Sequence, residues 1–125
     1  SKNVIELHGT IHRCYCAKCG KEYPEEYINT GTGVPRCSCG GVVRPDVVLY
    51  EESLDSNALM KAINYIRNAD MLIVGGTSLV VYPAAGLINC YDGDKLVLIN
   101  RDATSHDRFA RLVIREKIGE VFSLV

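Results

Sequence analysis

No apolar run in this 125-residue chain approaches the roughly 20 residues that a membrane-spanning helix needs. A basic stretch leading into an apolar h-region is also missing, so no signal peptide is read. Formal net charge is −1, and with few exposed aromatics expected, no electrostatic case exists for nucleic acid or an anionic membrane. The phosphate-binding fingerprint Gly-x-Gly-x-x-Gly does not occur, and neither does an internal repeat or a low-complexity tract. What is present is ordinary for a globular protein: 47% apolar and 23% charged residues, enough for one domain or part of a larger one. The opening at Ser1, running straight into a strand-like Val4-Ile5-Glu6-Leu7, is what a fragment or a processed chain is expected to show.

Cysteine is the residue in surplus. Of six cysteines, five fall between Cys14 and Cys39 in two close-set groups. Disulfide frameworks usually spread their cysteines, whereas tight pairs suit zinc in a reducing compartment, so a cytoplasmic location is expected. Cys16-Ala-Lys-Cys19-Gly20 has the form of a zinc knuckle, in which glycine lets backbone amides turn toward sulfur. Cys37-Ser-Cys39-Gly40-Gly41 offers a second, tighter pair. Four thiolates suit tetrahedral zinc, and a closed four-sulfur shell leaves no position for substrate or water, which makes the metal structural. Cys14 could replace Cys19 through a second Cys-x-Cys pair, although Gly20 argues for Cys16 and Cys19. Reduced, buried thiols are the alternative, and they leave the paired spacing unexplained. Cys90, in an apolar helical context, reads as core.

Composition separates three regions: 1–13, a short strand Val4–Leu7 ending at His8-Gly9; 14–46, a small zinc-binding module; and 47–125, where apolar runs alternate with helical patterns. Strands are expected at 47–50, 71–75, 95–102 and 111–116. A helix is expected over 53–69, with Leu59, Ala62, Ile63 and Ile66 on one face and Asp55 or Ser56 as N-cap. Shorter helical stretches are read at 83–91, with Pro83 in the first turn, and at 119–124. Continuous apolar strands joined by helices argue a parallel sheet covered on both faces, an α/β class. Ligands of such sheets bind at the carboxyl ends of the strands. There lie Gly75, Gly76, Thr77 and Ser78 after one strand, and Asn100 with Arg101 after another. Small residues there admit a ligand close to the backbone, and hydroxyl or amide groups can bond ribose or phosphate oxygens. A tight strand-to-helix turn explains the same glycines equally well.

Taken in order, Glu6–Thr10, the two cysteine pairs, Gly40–Glu52, Gly75–Pro83, Leu96–Asp102 and Lys117–Phe122 resemble the sirtuin family of NAD-dependent protein deacylases, in the compact bacterial form. The resemblance implies a Rossmann-like parallel sheet with helices on both faces plus a small structural zinc module. It implies that His8 is the catalytic base, and that Cys16, Cys19, Cys37 and Cys39 hold zinc. It assigns Gly76, Thr77, Ser78, Asn100, Arg101, Lys117 and Ile118 to NAD, the last two near the adenine. Val48 would receive the acyl-lysine nitrogen on its backbone carbonyl, Tyr50 would stand where the family has Phe in the lysine tunnel, and Val81 would flank the peptide. Glu51 departs from the glycine usual in Phe-Gly-Glu. The acyl-lysine peptide would add as a strand between 79–81 and 47–50. In the implied reaction the acyl oxygen attacks the ribose carbon as nicotinamide leaves. His8 then takes a proton from a ribose hydroxyl, a task suited to an imidazole whose ordinary pKa is about 6.5. Without the resemblance, His8 reads as a lone structural histidine. His12, His106, Glu51, Glu52, Arg108 and Arg111 read as surface or solvated residues.

The family's Gly-Ala-Gly-x-Ser loop and Gln-Asn-x-Asp segment do not occur. The expectation is therefore a C-terminal portion of an NAD-dependent protein-lysine deacetylase, inactive alone, whose partners are an acylated-lysine protein and the missing N-terminal half. A sirtuin-fold ADP-ribosyltransferase or long-chain deacylase is one alternative. A non-catalytic zinc-ribbon binding module is another, and it leaves the glycine-rich strand end without a purpose.

Overall fold

The computed structural model describes residues 1–29 and 31–124, and the chain divides into two compact units, Ser1–Ala58 and Leu59–Val125. In the first unit three antiparallel strands form a sheet in the order β2-β1-β3: β1 (Gly9–Cys16), β2 (Glu22–Pro24) and β3 (Val43–Val47). One helical turn, α1 (Glu26–Asn29), follows β2. Alternation along β1 turns Cys14 and Cys16 inward, each 1% exposed. They join Cys37 and Val43 in a core against which Tyr23 and Ile28 pack. Three of the four buried members are cysteines, so this unit has little hydrocarbon holding it together.

Two expected strands lie elsewhere. Val4–Leu7 is not a strand, because the chain turns there, Gly9 N–H donating to the Glu6 carbonyl at 3.0 Å. The strand begins only at Gly9, and runs on through residue 13, where composition suggested a boundary. Gly9 holds φ 75°, and a Cβ on it would stand 1.8 Å from the Asp46 carbonyl oxygen, so only glycine lets β1 close onto β3 here. The strand expected at 47–50 occupies Val43–Val47 instead. Pro45 is tolerated because β3 is an edge strand, where a missing N–H breaks no ladder.

In the second unit β4 (Leu72–Gly75), β5 (Leu96–Ile99) and β6 (Leu112–Ile114) pair in parallel, in the order β4-β5-β6. This is the parallel sheet that the continuous apolar runs predict. The central strand β5 is the most deeply buried, with Leu98 at 0% exposure. Burial of that side chain contributes about 2 kcal/mol. Leu79, Ile88, Leu96 and Leu98 form the core, joined by Leu72, Val74, Tyr91, Ala110 and Val113. The helix expected at 83–91 is a 3-10 helix over Ala84–Cys90, and the closing turn is α3 (Ile118–Phe122). Helix α2 (Ser56–Arg67) spans the division between units. Asp55 caps it, its Oδ1 accepting the Ala58 N–H at 2.6 Å. Its expected face is the less exposed one, at Leu59, Ala62, Ile63 and Ile66. No helix among the described residues is long and apolar enough to cross a membrane.

Candidate functional site

The four sulfurs of Cys16, Cys19, Cys37 and Cys39 lie within 4.8 Å of one another, and Cys14 is outside the group. Two similar turns deliver them. Gly20 N–H returns to the Cys16 carbonyl at 2.9 Å, Gly40 N–H returns to Cys37 at 2.8 Å, and both glycines have positive φ. A Cβ on Gly41 would meet the Cys16 sulfur at 2.6 Å, so glycine is what lets the second turn approach the first. Zinc–sulfur bonds of about 2.3 Å require tetrahedral edges of about 3.8 Å. The Cys16–Cys39 and Cys19–Cys37 sulfurs stand 3.5 and 3.6 Å apart, which fits. Charge argues the same way. The Cys39 N–H and the Tyr23 hydroxyl hold the Cys37 thiol down to about 5. Cys19, although the Lys21 N–H favours its thiolate, is pushed up to about 12 by its three sulfur neighbours. Four sulfurs this close cannot all ionise without a cation among them, and a divalent metal removes that penalty.

In the second unit a cavity of about 500 Å³ opens at the carboxyl ends of the three parallel strands. Gly76, Thr77 and Ser78 line it after β4, Asn100 and Arg101 after β5, and Lys117 and Ile118 after β6. Each of the seven residues singled out for a nucleotide reaches this one cavity. Gly76 lies at φ 65°, and a Cβ on Gly75 would strike Ile118 Cδ1 at 2.4 Å, so the paired glycines shape this wall. Asn100 is buried at 6% exposure, and its amide clamps the glycine turn: Nδ2 donates to the Thr77 carbonyl at 2.6 Å, and Oδ1 accepts the Thr77 N–H at 3.0 Å. One N–H and one lone pair of that amide remain for a ligand. Arg115 braces the rim, donating to the Asp102 carbonyl at 2.9 Å and pairing with Asp107. The Arg115 guanidinium, with Thr104, holds the Asp107 carboxyl below the usual carboxylate range. Arg101 and Lys117 are balanced by Asp102 and Glu116 in the lining, a charge pattern suited to a nucleoside rather than to a pyrophosphate.

His8 lies exposed in the first unit, immediately before β1. Its carbonyl accepts the Val48 N–H at 3.0 Å, one bond beyond the Gly9–Val47 pair that ends the β1–β3 ladder. The candidate base and the candidate substrate segment are thus tied through backbone. Tyr50 is 99% exposed, and Val81 is exposed in the other unit. Glu51 (φ 70°) and Leu79 (φ 57°) are the only non-glycine residues at positive φ among those described; Glu51 follows the segment 47–50 and Leu79 opens 79–81, the two segments expected to flank the peptide. Such conformations cost about 1–2 kcal/mol and collect at functional sites. His12 bonds Glu25 on the open face of β1, and His106 bonds Ser105.

Residues 1–83 match the Sir2 family. The chain belongs to that family. It is 58% identical to the NAD-dependent protein deacetylase of Clostridium acetobutylicum, with 100% of this chain and 52% of that protein covered. To the NAD-dependent protein deacetylase of Cutibacterium acnes it is 57% identical, covering 100% of this chain and 51% of the other. A solved structure described as "Sir2-p53 peptide-NAD+" superposes with a TM-score of 0.90 at 40% identity, over 100% of this chain and 55% of that one. This Sir2 chain therefore spans about half the length of the curated relatives it matches.

One engaged pair in the Sir2 chain escaped the sequence. Glu52 reads there as solvated, yet its carboxylate is gripped by both terminal nitrogens of Arg44. That grip and the Leu49 N–H hold the Glu52 carboxyl down to about 2. The only available signal is an arginine eight positions away, and a turn lies between the two, so neither helical nor strand periodicity relates them.

Proposed function

We propose that the protein containing this chain is an NAD-dependent protein-lysine deacetylase of the cytoplasm, converting acyl-lysine and NAD to lysine, nicotinamide and O-acyl-ADP-ribose. The single observation that carries the reading is the convergence of seven residues, chosen for a nucleotide, on one strand-end cavity. In this proposal NAD supplies the ribose carbon that accepts the acyl oxygen as nicotinamide departs. Gly76, Thr77, Ser78 and Asn100 hold the ribose side, and Arg101, Lys117 and Ile118 border the base. The near-neutral lining supports the nucleoside end of the dinucleotide at that place, with the pyrophosphate bound elsewhere. His8 takes the proton of a ribose hydroxyl. Val48 offers its carbonyl to the acyl-lysine nitrogen, and Tyr50 and Val81 flank the peptide strand. Cys16, Cys19, Cys37 and Cys39 hold a structural zinc that takes no part in the chemistry.

The test is nicotinamide release from NAD and an acetyl-lysine peptide by the intact gene product. His8→Ala is expected to lower kcat at least about a hundredfold, the usual worth of a positioned base, while zinc stays at one per chain. Turnover that survives the substitution would refute the assignment of His8. Absence of turnover in the unsubstituted protein would refute the function.

A further inference from the structure

The segment that follows β3 carries both first-unit substrate candidates, Val48 and Tyr50, yet residues 48–52 belong to no strand or helix. Tyr50 is 99% exposed, so packing does not fix where it stands. Hydrogen bonds do. Glu52 and Leu49 close a reciprocal turn: Glu52 N–H donates to the Leu49 carbonyl at 3.1 Å, and Glu52 Oε2 accepts the Leu49 N–H at 2.9 Å. Arg44, the second residue of β3, then seizes that carboxylate, with Nη1 on Oε1 at 2.5 Å and Nη2 on Oε2 at 3.0 Å. The same Nη2 donates to the Val47 carbonyl at 2.8 Å, immediately before Val48. One guanidinium therefore binds both ends of the 47–52 turn, while Glu51 inside it is held at φ 70°.

We propose that Arg44 and Glu52 are positioning residues for the acyl-lysine substrate: their fork fixes the 47–52 backbone so that the Val48 carbonyl and the Tyr50 ring meet the incoming peptide. The inference rests on the deacetylase reading above. As a half-exposed ion pair the fork adds little to stability. Its planar, two-pronged geometry supplies orientation, which a lysine, as a point charge, cannot reproduce. Glutamine at position 52 keeps an acceptor for the Leu49 N–H but turns an NH₂ group toward the guanidinium.

Arg44→Lys and Glu52→Gln in the intact gene product are each expected to raise KM for an acetyl-lysine peptide about tenfold, the scale of one charged hydrogen bond. KM for NAD should stay within about twofold, the zinc content should not change, and amide exchange should quicken over 48–52 only. An unmoved peptide KM overturns the proposal. So does a parallel rise of both KM values with faster exchange throughout the first unit, which marks a structural pair. If the unsubstituted protein releases no nicotinamide with acetyl-lysine peptides, the function itself falls and this role with it. Normal turnover with an unmoved peptide KM sinks the fork alone.

Discussion

At Asn100 one amide serves as both hinge pin and wall. Its two bonds to Thr77 join the loop after β4 to the end of β5, and its buried position lets neither bond be replaced by water. Asn100→Asp separates these roles with a change of one atom. The carboxylate still accepts the Thr77 N–H, but it sets a second oxygen against the Thr77 carbonyl where a donor stood. Leaving that carbonyl unpaired beside a buried charge costs about 1–3 kcal/mol. In the proposed enzyme the expected result is a lower melting temperature together with a raised KM for NAD, and an unchanged KM for the peptide. A variant that binds NAD normally despite its lost stability would show that the clamp does not shape the cavity.

At the scale of elements, the first unit depends on its knuckles because its sheet has so little to bury. β1 contributes two cysteines to a four-residue core, and β3 contributes one valine. A metal with an apparent binding free energy on the order of 10 kcal/mol thus outweighs what that core supplies. The second unit's core of leucine and isoleucine shares no residue with it. Chelation, or Cys39→Ser, is expected to abolish amide protection across β1, β2 and β3 while the Leu98 amide in β5 stays protected. Protection that persists in β1 after the zinc is measurably gone would mean the hydrocarbon core suffices. The cysteine pairs were legible in the sequence because metal chemistry imposes short, fixed spacings. The sheet that carries them was not. β3 alternates apolar and charged residues from Val43 to Val47, but Pro45 at its centre demotes the run as a strand signal, and β2 is only three residues long.

For the molecule as a whole, the same distinction governs what the chain exposes. β4 and β5 were legible because strands of a parallel sheet are nearly continuous apolar runs, and their ends located the cavity. That legibility has a physical counterpart, since a strand apolar on both faces is poorly suited to an open edge. Among the described residues β4 has one only, on the β5 side, and Ile73 in its middle is 44% exposed. An exposed apolar edge offers a row of unpaired N–H and C=O groups to any other chain. In the relatives, this chain corresponds to about half the length. We expect the β4 edge to be where the rest of the proposed enzyme continues the sheet. The 125 residues prepared alone should therefore self-associate, with a sedimentation coefficient that climbs with concentration. Ile73→Lys should suppress that climb without changing zinc content, because a charge on an edge strand disfavours pairing without touching the knuckles. A monomer at every concentration would mean the edge is already protected, and β4 would then have no call for a further strand.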